Sequence, residues 1–541
     1  MTFAGAAAAP DPRSVYSGSQ LVLVRTDRAT FPGGDAWKCL TCGTPAAGRQ
    51  GMTDDTSYPQ PFADGKRVLY GTNVVDCGPY QLASPACTPA RIHVYPIRWN
   101  TSADGSGPGT AIRELRLHPD QVHLGFNSVS VTGGRLDQYG YFGRLRFDPA
   151  PKTGEPLVPR YEVEKVSRLF DAAPTAQPVH IDARDPSKLV FDPSLPGVGE
   201  FRGFSRNGRE AFYVGYPVES SNIDLMAVDL RTGKVRRMTA NPGYADPVDA
   251  SPDDRWIVAL DTRGTNRMTF ASGMTGIPAV TDLLSTSVVS SVRNNGQRRF
   301  FQPYLIDRHG DRGSYQGQRL NYSRTSPDWN AGADPRWSPD GTAVAYYERL
   351  VSAPSCGGVN PLPCPASTEP GGRRTRLMIA RLTDRKPVRR GPVAPVSDLV
   401  PWGTPYVPGT PAPQRPYPPQ GTYTLSGKAS GSARVHVVWD DAKTAVKTVS
   451  LRYTHYSDDG SAFLDGSESV THTSTSTTLT TLDWYSDLVK TGRSGKVLAT
   501  KKTSADGFQL TIDLWQTVFQ ATGTLTTTVG SRTYTQPANG T

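Results

Sequence analysis

The stretch Asp334-Pro-Arg-Trp-Ser-Pro-Asp-Gly341, followed at once by Thr-Ala-Val-Ala-Tyr-Tyr347, decides the fold that we expect for this chain. Asp-Gly is a turn pair in which positive backbone angles are tolerated. The residues after it are the β-branched, small and aromatic types of a buried strand. The stretch therefore predicts a β-hairpin made of a short strand, a tight turn and a second strand.

Weaker copies of this hairpin occur earlier in the chain. They are Tyr58-Pro-Gln-Pro-Phe-Ala-Asp-Gly65, Phe201-Arg-Gly-Phe-Ser-Arg-Asn-Gly208 and Asp246-Pro-Val-Asp-Ala-Ser-Pro-Asp-Asp254. After the copy at 201, the segment 222–233 predicts a third strand and turn, and 234–239 predicts a fourth strand. Four strands in a unit of roughly 40 to 50 residues are typical of a propeller blade.

These units resemble the WD40-like repeat of TolB-type β-propellers, with its Trp-Ser-Pro-Asp-Gly turn at 337–341. The resemblance implies an all-β fold with the blades arranged around one channel. The pattern is specific at 334–341 and 200–239 and faint at 121–150 and 294–321. We therefore expect a six- or seven-bladed β-propeller.

Length and composition limit the class of protein. A chain of 541 residues exceeds one ordinary core, which predicts at least two domains. The 53 Gly and 47 Pro favour short strands and turns over long helices. No apolar run is long enough to cross a membrane, and the net charge of +10 is spread along the chain without a basic stripe. We expect neither a membrane nor a nucleic acid as partner.

Six cysteines fall as three near neighbours, Cys39/Cys42, Cys77/Cys87 and Cys356/Cys364. Each pair could close one loop as a disulfide, which indicates an oxidising compartment. Cys39-Leu-Thr-Cys42 could instead be a redox pair, and the six do not have zinc-site spacing. With the small, apolar start at 1–10, the cysteines favour a secreted protein.

The chain divides by composition into three parts. Residues 13–405 are predicted to form the propeller, 406–420 a proline-rich linker, and 421–541 a β-sandwich accessory domain built from alternating strands. Residues 13–43 read as two strands without the inner pair of a blade. We expect the segment 390–406 to complete this half blade.

In a propeller, first-strand starts and certain connecting loops open onto one rim, where function usually lies. This geometry selects acidic and basic residues as candidates. It gives Glu219, Asp246 and Asp261 as candidate catalytic carboxylates and Arg202 and Arg263 as candidate substrate-binding residues. The polar segment 298–315 adds Asp307 to the first group and Arg299 and His309 to the second. A glycoside hydrolase needs two carboxyl groups at the scissile bond, and an arginine fork pairs well with a uronate. For any single Asp, a structural role in a turn is the competing interpretation.

The segment 298–315 is unusually polar for a blade, since it carries Asp307, Arg308, His309, Asp311 and Arg312. Either it helps to hold an acidic sugar, or it is a salt-bridged surface hairpin. Four histidines, His93, His118, His123 and His180, show no paired ligand motif, although some propeller lyases hold a metal through histidine. We expect no metal and no cofactor.

A second resemblance covers much of the span 198–308. The segments Val198-Gly-Glu-Phe-Arg-Gly-Phe-Ser205, Val218-Glu-Ser-Ser-Asn-Ile-Asp-Leu225 and Gln302-Pro-Tyr-Leu-Ile-Asp-Arg308 are similar to secreted saponin hydrolases of fungi and actinobacteria, with a further echo in Trp37-Lys-Cys-Leu-Thr-Cys42. The resemblance implies removal of a glucuronosyl sugar chain from triterpenoid glycosides. It assigns no catalytic residues.

Three functions stay open on the sequence. The first is a secreted glycoside hydrolase that acts on a glucuronide, a small-molecule glycoside. The second is a non-catalytic secreted propeller that binds a glycan or a protein. The third is a metal-dependent uronate lyase, whose unsaturated product would absorb in the ultraviolet.

Overall fold

The computed structural model of the protein describes residues 2–4, 19–132, 135–295, 298–321, 329–350, 366–515 and 518–541. Almost all regular structure in these ranges is β-strand, with two short α-helices and four short 3-10 turns at Ala46–Arg49, Pro89–Arg91, Pro174–Ala176 and Pro370–Gly372. This confirms the predicted all-β class, with propeller-type blades and a β-rich C-terminal part. Neither helix in these ranges is long and apolar enough to cross a membrane.

The first strands form a three-stranded antiparallel sheet of β1 (Thr2–Ala4), β2 (Ser19–Val24) and β3 (Trp37–Cys39). The strands β2 and β3 are the two that the sequence predicts. The expectation that 390–406 completes them is wrong, because β1 pairs with β2, whereas Thr404–Pro405 pairs with the strand Arg160–Arg168.

Two of the three predicted cysteine pairs are disulfides in the structure, Cys39–Cys42 and Cys77–Cys87. Both disulfides close short loops in the N-terminal region, beside the neighbouring strands. Cys356 and Cys364 lie outside the described residues.

Two four-stranded units follow, and their last strands, β7 and β11, pair in parallel so that the units form one sheet. The first unit is β4 (Gln60–Pro61), β5 (Arg67–Tyr70), β6 (Asn73–Asp76) and β7 (His93–Trp99). The second is β8 (Arg113–Leu117), β9 (His123–Thr132), β10 (Arg135–Asp148) and β11 (Arg160–Arg168).

The next strands are the hairpin β12 (Val179–Asp182) and β13 (Asp185–Phe191), and then the blade β14 (Val198–Phe204), β15 (Glu210–Gly215), β16 (Leu225–Asp229) and β17 (Val235–Arg237). This blade is antiparallel throughout and matches the predicted strand order over 198–239.

The following blade contains an insertion between its second and third strands. Its strands are β18 (Ala245–Ala250), β19 (Trp256–Asp261), β22 (Gln302–Asp307) and β23 (Gln318–Arg319). The insertion holds helices α1 (Thr269–Ser272) and α2 (Asp282–Ser291) and the small hairpin β20 (Asn294–Asn295) and β21 (Arg298–Arg299). The last described blade contains β24 (Trp329–Ala331), β25 (Arg336–Trp337), β26 (Ala343–Leu350) and β27 (Thr375–Arg381).

The turns that decide the fold have the predicted conformation. Gly341 and Gly208 have φ of +72° and +76°, and Asp254 has φ of +55° in the same role. Gln121 has φ of +67° after His118-Pro-Asp, so a turn of this kind also exists where its residue pattern is faint. The residue at this turn position varies because a positive φ is open to residues other than glycine at a cost of order 1 kcal/mol.

The C-terminal strands form one continuous sheet. After β28 (Thr404–Pro405) come β29 (Gly421–Ser426), β30 (Ser430–Trp439), β31 (Val446–Ser457), β32 (Ala462–Ser474), β33 (Leu479–Gly492), β34 (Val497–Asp513), β35 (Gln520–Val529) and β36 (Arg532–Thr535). The sheet runs in chain order from β29 to β36, and it continues into β13 and β12 because β13 pairs with β29 in parallel.

One face of this sheet is apolar, as its alternating pattern requires. Val435, Val449 and Leu482 on that face are fully buried and belong to the same core cluster as Leu284 and Val288 of α2. Helix α2 contacts β31 to β34, and α1 contacts β35 and β36. The helical insertion of a blade thus packs against the apolar face of the C-terminal sheet.

The chain separates into two compact units. One contains Met1–Val129, Gln138–Phe170 and Val393–Ala412, and the other contains Ser130–Asp137, Asp171–Pro392 and Pro413–Thr541. These borders differ from the predicted domain boundaries at 405 and 420, which stay a prediction about independent folding.

The first turn of α2 carries a buried carboxyl group that we expect to make stability depend on pH. The Ser221 N–H donates to Asp282 at 3.0 Å, yet burial raises the pKa of Asp282 from 3.8 to about 6. The folded chain holds the Asp282 proton more tightly than the unfolded chain. The resulting contribution to the free energy of unfolding is complete below about pH 4 and is lost as pH rises through 6. We expect the loss to be about 3 kcal/mol in the free energy of unfolding.

The Asp282→Asn variant tests this expectation, because its amide oxygen still accepts from Ser221 and does not titrate. Urea unfolding at pH 4, 5, 6 and 7 should show a smaller fall in unfolding free energy for the variant than for the wild type. Parallel curves for the two proteins would contradict the assignment.

Candidate functional site

Two neighbouring blades, β14–β17 and β18–β23, have the starts of their first strands at the same end. We call it the strand-start end. It is the end at which Val198 pairs with Gly215 and Ala245 pairs with Asp261. A parallel bridge between Ile223 and Tyr244 joins the two blades there. Three of the four predicted carboxylates, Glu219, Asp246 and Asp261, belong to this end.

Asp246 lies in β18 and is buried against an arginine of the neighbouring blade. The Arg202 guanidinium donates to Asp246 Oδ2 at 2.5 Å, and the Tyr244 hydroxyl donates to the same oxygen at 3.1 Å. Glu200 Oε1 lies 3.0 Å from the same guanidinium nitrogen of Arg202. The charge of Arg202 is therefore neutralised by protein carboxylates. This arrangement does not support the prediction that Arg202 binds a substrate uronate.

Asp261 ends β19 and forms a second buried ion pair with another predicted residue. Arg263 contacts Asp261 at 2.6 Å and Asp311 at 2.8 Å, and all three side chains are at most 5% exposed. Burial raises the pKa of Asp261, although Arg263 acts against this. The trio fixes the start of the loop after β19, which is a structural role for both predicted residues.

Glu219 differs from these buried carboxylates because about a fifth of its side chain is exposed. It lies in the loop between β15 and β16, where Arg237 donates to Oε1 at 2.8 Å and the Gly276 N–H donates to Oε2 at 3.3 Å. Arg237 also holds Asp224, at 2.6 Å. The Arg237 guanidinium thus binds two carboxylates, the accessible Glu219 and the buried Asp224.

The buried partner is strongly perturbed. Burial raises the pKa of Asp224 to about 8, an effect that the charge of Arg237 offsets only in part. Thr239 Oγ1 also donates to Asp224, at 2.9 Å. Two carboxyl groups in very different environments can take different roles in a reaction, one as an acid and the other as a base.

A lysine of the C-terminal sheet reaches the same loop. Lys490 of β33 donates to the Thr275 carbonyl oxygen at 2.8 Å, and the next residue, Gly276, is the one that binds Glu219. The Lys490 residue is only partly buried. It places a positive charge beside the accessible carboxylate.

The fourth predicted carboxylate lies elsewhere. Asp307 pairs with Trp256 at the end of the blade opposite to Asp261, and its Arg312 partner, at 2.6 Å, lowers its pKa. His309 follows in the same exposed turn. The structure therefore separates Asp307 and His309 from Glu219, and they form the salt-bridged surface hairpin that was the competing interpretation. Arg299 lies in β21, and its side chain is outside the described part of the structure.

Two of the four histidines come together, although the sequence analysis found no paired ligand motif among them. His118 and His123 lie on either side of Asp120 in the turn between β8 and β9. His93 stacks on Tyr95, and His180 contacts the Gln177 carbonyl oxygen.

The sequence reasoning missed Asp224, Arg237, Lys490 and Asp120. Asp224 and Arg237 read as ordinary members of strands in the repeat, and Lys490 belongs to a segment that no motif connected with the blades. Only the spacing His118-Pro-Asp-Gln-Val-His123 offered a signal, because it brings three residues of metal-binding type into one turn.

No protein-family model and no curated protein match the chain. Among solved structures, the chain is similar to the putative TolB from Agrobacterium tumefaciens, with 15% identity, a TM-score of 0.31, and coverage of 64% of this chain and 80% of that one. TolB from Acinetobacter baumannii has 14% identity, a TM-score of 0.27, and coverage of 75% and 63%.

The β-propeller domain of the Trilobed protease from Pyrococcus furiosus has 7% identity, a TM-score of 0.22, and coverage of 78% of this chain and 96% of that one. At such identities and scores, no property of these proteins transfers to the chain.

Proposed function

We propose that the protein is a secreted glycoside hydrolase that removes a glucuronosyl sugar from a triterpenoid saponin or a related glucuronide. The resemblance of 198–308 to saponin hydrolases motivates the substrate class. The carboxylates of the strand-start end supply the chemistry, and the Cys39–Cys42 and Cys77–Cys87 disulfides are in keeping with an extracellular location.

The observation that carries the proposal is the pair of carboxylates on Arg237. Glu219 is accessible and held by two donors, while burial raises the pKa of Asp224 to about 8. Glycoside hydrolysis uses one ionised carboxylate as base or nucleophile and one protonated acid. In this proposal Glu219 touches substrate and takes a proton from the attacking water, and the leaving-group oxygen receives its proton from solvent. Asp224 is buried, so it acts on Glu219 only through the shared guanidinium.

The acidic sugar would be recognised by Lys490. A uronate carboxylate loses hydration when it binds, and a cation at the same place offsets that cost. Arg202 and Arg263 are already neutralised by Asp246, Asp261 and Asp311, so Lys490 replaces them as the recognition residue in this proposal.

Purified full-length protein should release the sugar from a saponin whose chain is linked through glucuronic acid. We expect the matched saponin linked through glucose to react at least about tenfold more slowly, since it lacks the carboxylate that the ammonium group attracts. Chromatography of the freed aglycone measures both rates.

Three outcomes would contradict this proposal. Equal rates on the two saponins would remove the role of the acidic sugar. An unsaturated product that absorbs in the ultraviolet would indicate the lyase instead. Binding of the saponin without any release would indicate the non-catalytic propeller.

A further inference from the structure

The turn between β8 and β9 is a variant of the turn that recurs in the blades. In the blade of β25 and β26, Ser338 Oγ donates to Asp340 at 2.6 Å, and the Ala343 N–H donates to Ser338 Oγ at 2.9 Å. The same pattern joins Ser251 and Asp253. In the β8–β9 turn the serine position holds His118, the aspartate is Asp120, and the position of Ala343 holds His123.

This exchange brings three metal-binding groups together. His118 Nδ1 lies 3.0 Å from Asp120 Oδ1, and His123 Nδ1 lies 2.7 Å from Asp120 Oδ2. One ligand atom from each of the three residues can be chosen so that all lie within 4.8 Å of one another. Both histidine side chains are at most 5% exposed, whereas the Asp120 side chain is 23% exposed.

The carboxylate is held in place by the turn itself. The N–H groups of Val122 and His123 both donate to Asp120 Oδ1, at 2.8 and 3.0 Å. His123 also stacks on Phe142, with ring centroids 5.1 Å apart. The three groups are therefore positioned by packing and backbone contacts, which lowers the cost of ordering them around an ion.

A fourth residue supplies an independent observation. His123 Nε2, the ring nitrogen that faces away from Asp120, lies 2.9 Å from Asp398. Asp398 is itself held by Arg144 at 2.8 Å and Lys165 at 2.5 Å. Histidines that bind a metal through one nitrogen almost always give the other N–H to a carboxylate or carbonyl group, which orients the ring and raises its basicity.

We propose that His118, Asp120 and His123 form a binding site for one divalent transition metal ion of the zinc class, with Asp398 as the residue that orients His123. Two imidazoles and one carboxylate suit Zn²⁺ and its neighbours, whereas Ca²⁺ and Mg²⁺ prefer oxygen ligands. Three protein ligands leave a further coordination position for water. This proposal is independent of the glycoside hydrolase proposed above.

The experiment uses full-length protein freed of metal by a chelator and then titrated with Zn²⁺ alone in a calorimeter. We expect one equivalent to bind, and Co²⁺ in its place to give the visible absorption of a tetrahedral or five-coordinate ion. The double variant His118→Ser/His123→Ala recreates the turn at Ser338 and Ala343, so it should fold and yet lose this stoichiometric binding. Asp398→Asn should weaken Zn²⁺ binding by about 10- to 100-fold.

The matched control is His93→Ala, which removes a histidine outside the trio and should leave the affinity unchanged. Equal Zn²⁺ affinity in the double variant and the wild type would overturn the proposal, as would the absence of binding in the wild type. Thermal unfolding of the double variant without metal close to that of the wild type shows that the loss of binding is not a loss of fold.

Discussion

Replacing Glu219 by Gln is expected to lower kcat for the glucuronide-linked saponin by about 10³-fold, within the range that removal of an acid–base or nucleophilic group gives. The amide keeps the size of the carboxylate, and its oxygen still accepts from Arg237 or Gly276. What it loses is the negative charge and the ability to take a proton. The measurement is the initial rate of aglycone release at saturating substrate.

The same blade offers a matched control in Glu210→Gln. Glu210 also binds an arginine, since Arg236 contacts its two oxygens at 2.7 Å each. It lies at the other end of the blade, where Glu210 pairs with Asp229. We expect this variant to keep wild-type activity. A Glu219→Gln enzyme that also keeps its rate would refute the assignment of Glu219 and leave the reaction itself standing.

The largest expected effect on stability comes from a buried ion pair of the C-terminal sheet. Lys501 and Glu468 are essentially without solvent exposure, and their charged groups lie 2.8 Å apart. Trp484 donates its indole N–H to the same glutamate oxygen at 3.0 Å. The Lys501→Met variant would leave Glu468 charged and buried without its partner, and we expect the free energy of unfolding to fall by about 3 to 5 kcal/mol.

Two further variants separate the buried charge from simple packing. Glu468→Leu combined with Lys501→Met removes both charges, so it should recover most of the loss. Lys502→Met removes the adjacent lysine, which forms an exposed pair with Asp487, and should change the unfolding free energy by less than about 1 kcal/mol. Urea unfolding of the full chain measures all of them. Equal losses for the single and double variants would mean that packing, and not the unpaired charge, dominates.

Turn chemistry allowed much of the fold to be predicted from the sequence. Asp-Gly, Asn-Gly and Asp-Asp pairs mark positions such as Gly341 and Asp254 that need a positive φ, and this local requirement is visible without knowledge of distant contacts. The strands β14 to β17 follow in the predicted order for the same reason. The β8–β9 turn was harder to find, because Gln121 takes the place of glycine there.

The pairing of the C-terminal sheet could not be predicted in this way. Alternation in 421–541 shows that one face is covered, but it does not show what covers it. The answer depends on α2, whose residues lie far away in sequence. The parallel register between Lys188 and Thr424 is likewise a long-range contact with no local signal.

The candidate site was predicted only in part for an electrostatic reason. Composition shows that acids and arginines alternate near the strand starts, but it does not show which acid each arginine neutralises. Arg202 and Arg263 are paired internally, whereas Glu219 remains accessible. A charge becomes useful to a ligand only when the fold leaves part of it unsatisfied, and that depends on distances of a few tenths of a nanometre that no repeat pattern encodes.

The parallel pairing of β13 with β29 bears on any shortened version of this protein. A chain that ends within the proline-rich stretch would leave the backbone amide and carbonyl groups along one edge of β13 unpaired. It would also remove the apolar sheet that packs against α2. Such a fragment would be prone to self-association through the exposed strand. The last quarter of the chain is thus a part that the blades depend on, and swapping it between relatives would require exchanging the helical insertion along with it.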